Sequence, residues 1–100
     1  MVIVTIQTQS WIWRHSRAGG AAKLVELALA DLGSYGDDPS ETWLRTDWLV
    51  DDLAHKCGME HGEILSALTA LERLGEAEVI GDPSGTRCIF HNFRSAAVRG

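Results

Sequence analysis

The stretch LAHKCGMEHGEIL, residues 53–65, decides how this chain folds. Leu53, Ala54 and Cys57 close an apolar stripe that begins at Trp48 and Leu49. Gly58 breaks the helix that this stripe predicts, and Ile64 opens another, with Ala67, Leu68, Leu71 and Leu74 at the i, i+3, i+4, i+7 spacing of a core-facing side. Two helices that meet steeply leave room for only small side chains where they approach. Ala54 is small there, Gly58 supplies the turn four residues on, and Ile64 returns the chain to the core. The same stretch carries Glu60, His61, Gly62, Glu63 and Leu65, where a reader of DNA usually carries Arg, Lys, Asn or Gln.

The neighbouring segments give this bend its context. Thr46 is a good N-cap with Asp47 in the first turn behind it. Upstream, SYGDDPSETWLRT (34–46) reads as a polar loop closed by one short strand, TWLR. Before it, AAKLVELALADLG places Leu24, Val25, Ala28, Leu29 and Leu32 on one helical stripe, widened by Leu27. A helix apolar over so much of its circumference belongs in the middle of a small bundle, and Gly33 and Gly36 end it. VIVTIQTQSWIW at the N-terminus alternates in part and is rich in β-branched and aromatic residues, which predicts an extended arm or strand over residues 1–17. Downstream, Gly75 stops the helix that Ile64 opens, and EAEVIG and TRCIFHNF form two strand-like runs around the turn signal DPSG. RSAAVRG reads as a flexible tail, residues 94–100. The order is that of an α+β winged helix-turn-helix domain over residues 18–93, with a three-helix core, a C-terminal β-hairpin wing and an N-terminal arm or strand.

Composition bounds the function. One hundred residues with 45% apolar content make one small domain. No run approaches the roughly 20 apolar residues of a membrane span, and the N-terminus lacks the pattern of a signal peptide, so a cytoplasmic protein is expected. Cys57 and Cys88 are too few for a disulfide scaffold and are expected as thiols. The formal net charge is −5, but all 14 acids fall in residues 26–82, while Arg14, Arg17 and Lys23 precede them and Arg87, Arg94 and Arg99 follow. Two basic flanks around an acidic body admit either phosphate contacts at the flanks or a basic partner for the body.

WIWRHSRAGGAAKLVELALADL, followed by a W…LA…G…ALTALERLGEAEV pattern, resembles the winged-helix domains of actinobacterial phages and mobile elements, often found at the front of replication initiators. The likeness covers roughly residues 10–81 and is most characteristic at Ser16, Ala18, Gly20, Ala22, Leu24, Val25, Leu27 and Ala30. It implies binding of double-stranded DNA, with the helix after Gly58 in the major groove and the hairpin on the backbone. Where such relatives begin that helix with a Ser-Glu-Arg-Thr-Val-Arg-Arg-like run, this chain has Glu60, His61, Gly62, Glu63, Ile64, Leu65 and Ser66, so the three Arg positions become Gly62, Leu65 and Ser66. Their usual Trp-Pro-Ser is also missing, since Leu49 and Val50 follow Trp48.

A helical wheel sets Gly62, Ser66, Thr69 and Arg73 opposite the Ile64 stripe, with Leu65 and Ala70 beside them. His61, Ser66, Thr69 and Arg73 are the candidate groove contacts. Arg14, Arg17 and Arg87 are the candidate phosphate contacts, with Ser84, Thr86 and Arg87 at or beside the hairpin tip and His91, Arg94 and Arg99 beyond it. The expected function is that of a transcription regulator or replication accessory factor of a phage or mobile element. The alternative is an acidic winged-helix interaction module, such as a phage inhibitor of a host nucleic-acid-binding machine, that meets a protein through its acidic face or an exposed Leu65. Trp11 and Trp13, on one face of an extended segment, are candidates for a homodimer contact.

Other chemistry finds less support. His55, Cys57, His61, Cys88 and His91 invite a metal reading, but Cys57 belongs to the bend's core pattern and Cys88 and His91 would face opposite ways on a strand, so no metal or other cofactor is expected. GDPSG is a turn rather than a phosphate cradle. Asp37 with Asp38, and Asp51 with Asp52, are adjacent pairs that do not converge on one point, and no nucleophile has an orienting base, so an enzyme is not expected.

Overall fold

The computed structural model describes residues 2–44, 49–82 and 85–99. In chain order they form α1 (Val2–His15), α2 (Gly20–Leu32), β1 (Ser34–Tyr35), β2 (Glu41–Leu44), α3 (Leu49–Cys57), α4 (His61–Leu74), β3 (Glu78–Asp82), β4 (Gly85–Ile89) and α5 (His91–Arg99). Thr46, Asp47, Trp48 and Ser84 lie outside the described residues. The fold is α+β, with an antiparallel sheet in the order β1-β2-β4-β3. No described helix is long and apolar enough to cross a membrane.

Helix α2 is the centre of the helical layer and packs against α1, α3 and α4. Val25 and Leu29 are fully buried there, facing Leu53 of α3 and Ile64 and Leu71 of α4, all without solvent exposure. The wide stripe of α2 thus has the role its sequence predicts. At the α3–α4 bend, Gly58 takes a left-handed φ of 66° and the Met59 amide donates to the Ala54 carbonyl at 3.0 Å. Helix α4 ends as it should at a glycine: Gly75 has φ 70°, and its amide and that of Glu76 donate back to the last turn.

In the sheet, β4 pairs on one side with β2, Thr42 opposite Cys88, and on the other with β3, Val79 opposite Cys88. Thr42 and Leu44 point into the core while Trp43 between them is partly exposed, the two-residue alternation of a half-buried strand. Two residues of the predicted 34–46 loop, Ser34 and Tyr35, pair with β2 and add a fourth strand.

Both ends of the chain differ from the sequence reading. Residues 2–15 form a helix rather than an arm or strand. Their β-branched residues favour extended backbone, but Thr8, Trp11 and Ile12 also recur at helical spacing, and tertiary packing decides between the two. Ile12 is fully buried, the Thr8 hydroxyl donates to the Pro39 carbonyl at 2.7 Å, and the Trp11 ring packs on Phe93 at 5.3 Å. The strand predicted over TRCIFHNF stops at Ile89, and residues 91–99 form α5 where a tail was expected from 94. Phe90 and Phe93 are the cause: both are buried, four-residue helical spacing brings the Arg94 amide to the Phe90 carbonyl at 2.9 Å, and α5 lies on α1.

Two glycines are required for different reasons, and two substitutions separate them. Gly33 has an ordinary φ of −87°, yet a Cβ there would stand 1.7 Å from Oγ1 of the buried Thr42. Gly58 has open space around it but a left-handed backbone. In chemical denaturation Gly33→Ala is expected to lose about 2–3 kcal/mol by overpacking, and Gly58→Ala about 1 kcal/mol by backbone strain. Equal losses would contradict the assignment.

Candidate nucleic-acid interface

Burial of Ile64, Ala67 and Leu71 fixes the roll of α4 and leaves Gly62, Glu63, Leu65, Ser66, Thr69 and Arg73 to solvent. Leu65 is 55% exposed, high for a leucine in the middle of a helix. Ser66, Thr69 and Arg73 follow one line along the helix and border a shallow depression with Leu65 and Ala70. A second depression, between Gly19, Ala21 and Ala22 at the start of α2 and Gly62, Glu63 and Ala67 of α4, shares Ser66 and Ala70 with the first. Together they make a continuous concave surface over α4. The Thr69 hydroxyl donates to the Leu65 carbonyl of its own helix at 3.0 Å, so it faces outward as an acceptor.

The acids at the start of α4 have a structural task. The Glu63 amide donates to the Glu60 side chain, and the Glu60 amide donates to Glu63 Oε1 at 3.1 Å, a reciprocal capping box. Both carboxylates also sit at the positive end of the helix dipole. His61 is tied down as well, with Nε2 at 2.6 Å from Asp51 Oδ1, joining the start of α4 to α3. Of the candidate groove contacts, then, Ser66, Thr69 and Arg73 stand together on the open face, and His61 is held at its edge.

The cations divide sharply by environment. Arg14 is exposed in the last turn of α1, and among the described residues no acid pairs with it or with Arg73. Arg17 is anchored: its amide and Nε donate to Glu76 Oε1 at 2.7 and 3.4 Å, and Nη2 donates to the Leu74 carbonyl. Its side chain nevertheless remains 62% exposed, at the end of α4 that carries Arg73. Arg87 does not sit at the hairpin tip. It is the third residue of β4, between Trp43 and Ile80 on the neighbouring strands, with Nη1 3.5 Å from Glu41 Oε1 and its guanidinium 6.0 Å above the Trp43 ring. Arg94 donates to Asp38 Oδ2 at 2.9 Å, to Glu41 Oε2 at 3.1 Å and to Ser40 Oγ at 2.9 Å. Hydrogen bonds from Ser40, helped by the Arg94 charge, hold the Asp38 carboxyl below its usual range. His91 lies 2.8 Å from Glu78. The basic flank predicted around the wing is therefore largely paired within the protein, through acids at Asp38 and Glu41 that the sequence reading left in a polar loop. The side chain of Arg99 is outside the described set.

Four further observations bear on the sequence reading. Trp11 and Trp13 do not share a face on a helix: Trp11 is half-buried on Phe93, while Trp13 is 64% exposed and lies under Lys23. No group of three potential metal ligands occurs among the described residues. Cys57 and Cys88 are free thiols whose ionisation burial pushes upward, which suits packing rather than reactivity. Finally, Glu26 and Glu76 are completely buried, and the sequence reading singled out neither. A lone Glu inside the stripe KLVELALA was the available signal for the first.

Breaking the capping box tests the structural account of the acids. Glu60→Ala is expected to lower the stability of the fold by about 1 kcal/mol in urea denaturation. No loss would mean that the two acids are free for a partner instead. Comparison with protein-family models, with curated proteins and with solved structures finds no match to this chain.

Proposed function

We propose that this chain is a winged-helix protein that binds double-stranded DNA with α4 in the major groove, as a transcription regulator or replication accessory factor of a phage or mobile element. The observation that carries the reading is the open face of α4. It follows the Gly58 bend, no other element covers it among the described residues, and Ser66, Thr69 and Arg73 line it. The order α2, β2, α3, α4 and then the β3–β4 hairpin, with β4 between β2 and β3, supports the same reading.

In this reading Ser66 and Thr69 meet base edges or phosphates, and Arg73 and Arg17 grip the backbone from one end of α4, with Arg14 as a third cation. Because Arg87 and Arg94 are held by carboxylates, electrostatic attraction is modest. With about three phosphate contacts, affinity for a mixed duplex is expected to fall about 40-fold between 50 and 200 mM salt. Fluorescence anisotropy measures this directly. Arg73→Ala is expected to weaken binding and to make the salt dependence shallower by about one phosphate contact, whereas Glu41→Gln, which loosens the hold on Arg87 and Arg94, is expected to tighten it. Absence of binding at low salt would refute the proposal.

The 55% exposure of Leu65 at the centre of this face, beside Glu63, favours a second reading. There the protein is an acidic interaction module that docks a basic protein on α4. Leu65→Ser would then abolish capture of the partner while leaving the thermal unfolding midpoint within a degree or two, since the side chain makes little core contact. DNA binding that survives Leu65→Ser unchanged favours the first reading.

A further inference from the structure

Helix α2 buries Val25 and Leu29 against α3 and α4, and the side it turns away from them is apolar and open. Leu24 there is 45% exposed, and with Leu27 and Ala28 it floors a groove of about 320 Å³ between α1 and α3. Trp13 of α1 forms one wall, and Cys57, beside Lys56, forms the other. Trp13 is the most exposed large apolar side chain among the described residues. Single apolar groups in water are ordinary, but an indole and a leucine that share a groove make a patch. None of these residues borders the concave surface over α4.

Charge gives the groove a direction. Lys23, Leu27 and Asp31 follow one row of α2 at four-residue spacing, with the cation toward the N-terminal end and the carboxylate at the C-terminal end. Both run against the dipole of their own helix, which has no acid in its first turn and no base in its last. At the Trp13 end, Lys23 stands 5.8 Å from the ring centre and donates to the Trp13 carbonyl at 3.0 Å, and the exposed Arg14 follows Trp13 in the chain. At the other end Asp31 and Lys56 pair at 2.6 Å, and both side chains remain nearly half exposed.

We propose that a second copy of this chain fills the groove, in a two-fold dimer in which each Trp13 inserts at the Asp31–Lys56 end of the other copy. A two-fold contact needs one surface that carries both a projection and the cavity that accepts it, and this patch has both. An axis through Leu27 sets the two α2 helices antiparallel, and Lys23 and Asp31 lie four residues from it on either side. The same rotation brings Lys23 and Arg14 of each copy over Asp31 of the other, and it opposes the two helix dipoles. The Trp13 indole then covers Leu27 and Cys57 of the second copy and turns its N–H toward Asp31 there. An apolar floor alone suits any amphipathic helix; the reversal of charge from end to end, matched by its own rotation, selects a second copy. The dimer stands apart from the reading of α4, whose open face shares no residue with the groove, so association and DNA binding are read out separately.

The test is sedimentation equilibrium of the full chain, with at least about half of it expected as a reversible dimer at about 100 µM, in the range of a small interface. Trp13→Ser is expected to raise Kd at least about tenfold. Its Tm is expected to stay within about 2 °C of the parent, because the ring is mostly in water. Lys23→Glu and Asp31→Lys each set like charges together at both ends of the contact, and each is expected to weaken the dimer about fivefold. Mixed in equal amounts, the two variants set opposite charges together at both ends, so native mass spectrometry is expected to show mainly mixed dimers. Should Asp31→Lys fail to fold beside Lys56, isotope-filtered NOEs between the Trp13 indole of a labelled copy and Leu27 of an unlabelled one decide instead. A chain still monomeric at about 300 µM overturns the proposal and leaves the groove to another protein. So does a dimer that Trp13→Ser leaves intact, a mixture without excess mixed dimer, or the absence of those NOEs.

Discussion

The constraint on which this structure depends is that α2 has no face left for water on three of its sides. Val25 and Leu29 are sealed by α3 and α4, and the flank beyond them needs α1. A three-helix core with a hairpin would leave that flank open. The chain closes it with an additional helix, and it fixes the geometry of closure through a link only four residues long, Ser16 to Gly19. So short a link cannot carry its own core, so hydrogen bonds from Ser16 and Arg17 to interior carboxylates take over the positioning. The buried acids are thus the counterpart of an apolar contact that the link has no residues to make.

This arrangement explains what could and could not be read from the sequence. Helices α2, α3 and α4 and the β3–β4 hairpin were legible because each has one dominant signal, a 3.6-residue stripe ended by glycine or two runs around DPSG. Segment α1 was not, because its β-branched composition and its helical spacing conflict, and only contacts with Pro39 and Phe93 resolve the conflict. Helix α5 was missed because it is short and polar, and its two anchoring phenylalanines read equally well as the end of a strand. At the candidate interface the sequence places Ser66, Thr69 and Arg73 correctly on the open side of α4, since roll about the helix axis follows from the stripe. It cannot show that Arg87 meets Glu41, 46 residues away, or that Arg94 meets Asp38 and Glu41. Pairing of that kind depends on strand register and on a helix the sequence did not reveal.

The charge pattern changes meaning accordingly. Along the sequence, two basic flanks enclose an acidic body. In space, the flanks fold back onto the body: Arg17 onto Glu76 from the front, Arg87 and Arg94 onto Asp38 and Glu41 from the rear. Much of the positive charge therefore serves to orient elements, and the open face of α4 is left with small, hydroxyl and aliphatic side chains, Glu63 and one guanidinium. Such a face offers shape and a few hydrogen-bonding groups more than electrostatic field.

The conflict within α1 also has a consequence for synthesis. On the ribosome, VIVTIQTQSWIW leaves the exit tunnel before Phe93, whose packing on Trp11 helps to settle it as a helix, has emerged. During that interval its local preference is for extended backbone, it is apolar and carries no charge, and it has the composition of a segment that pairs readily with copies of itself. Until α5 is made, this segment is therefore vulnerable to aggregation, and the docking of Phe93 on Trp11 is a step that retires the hazard.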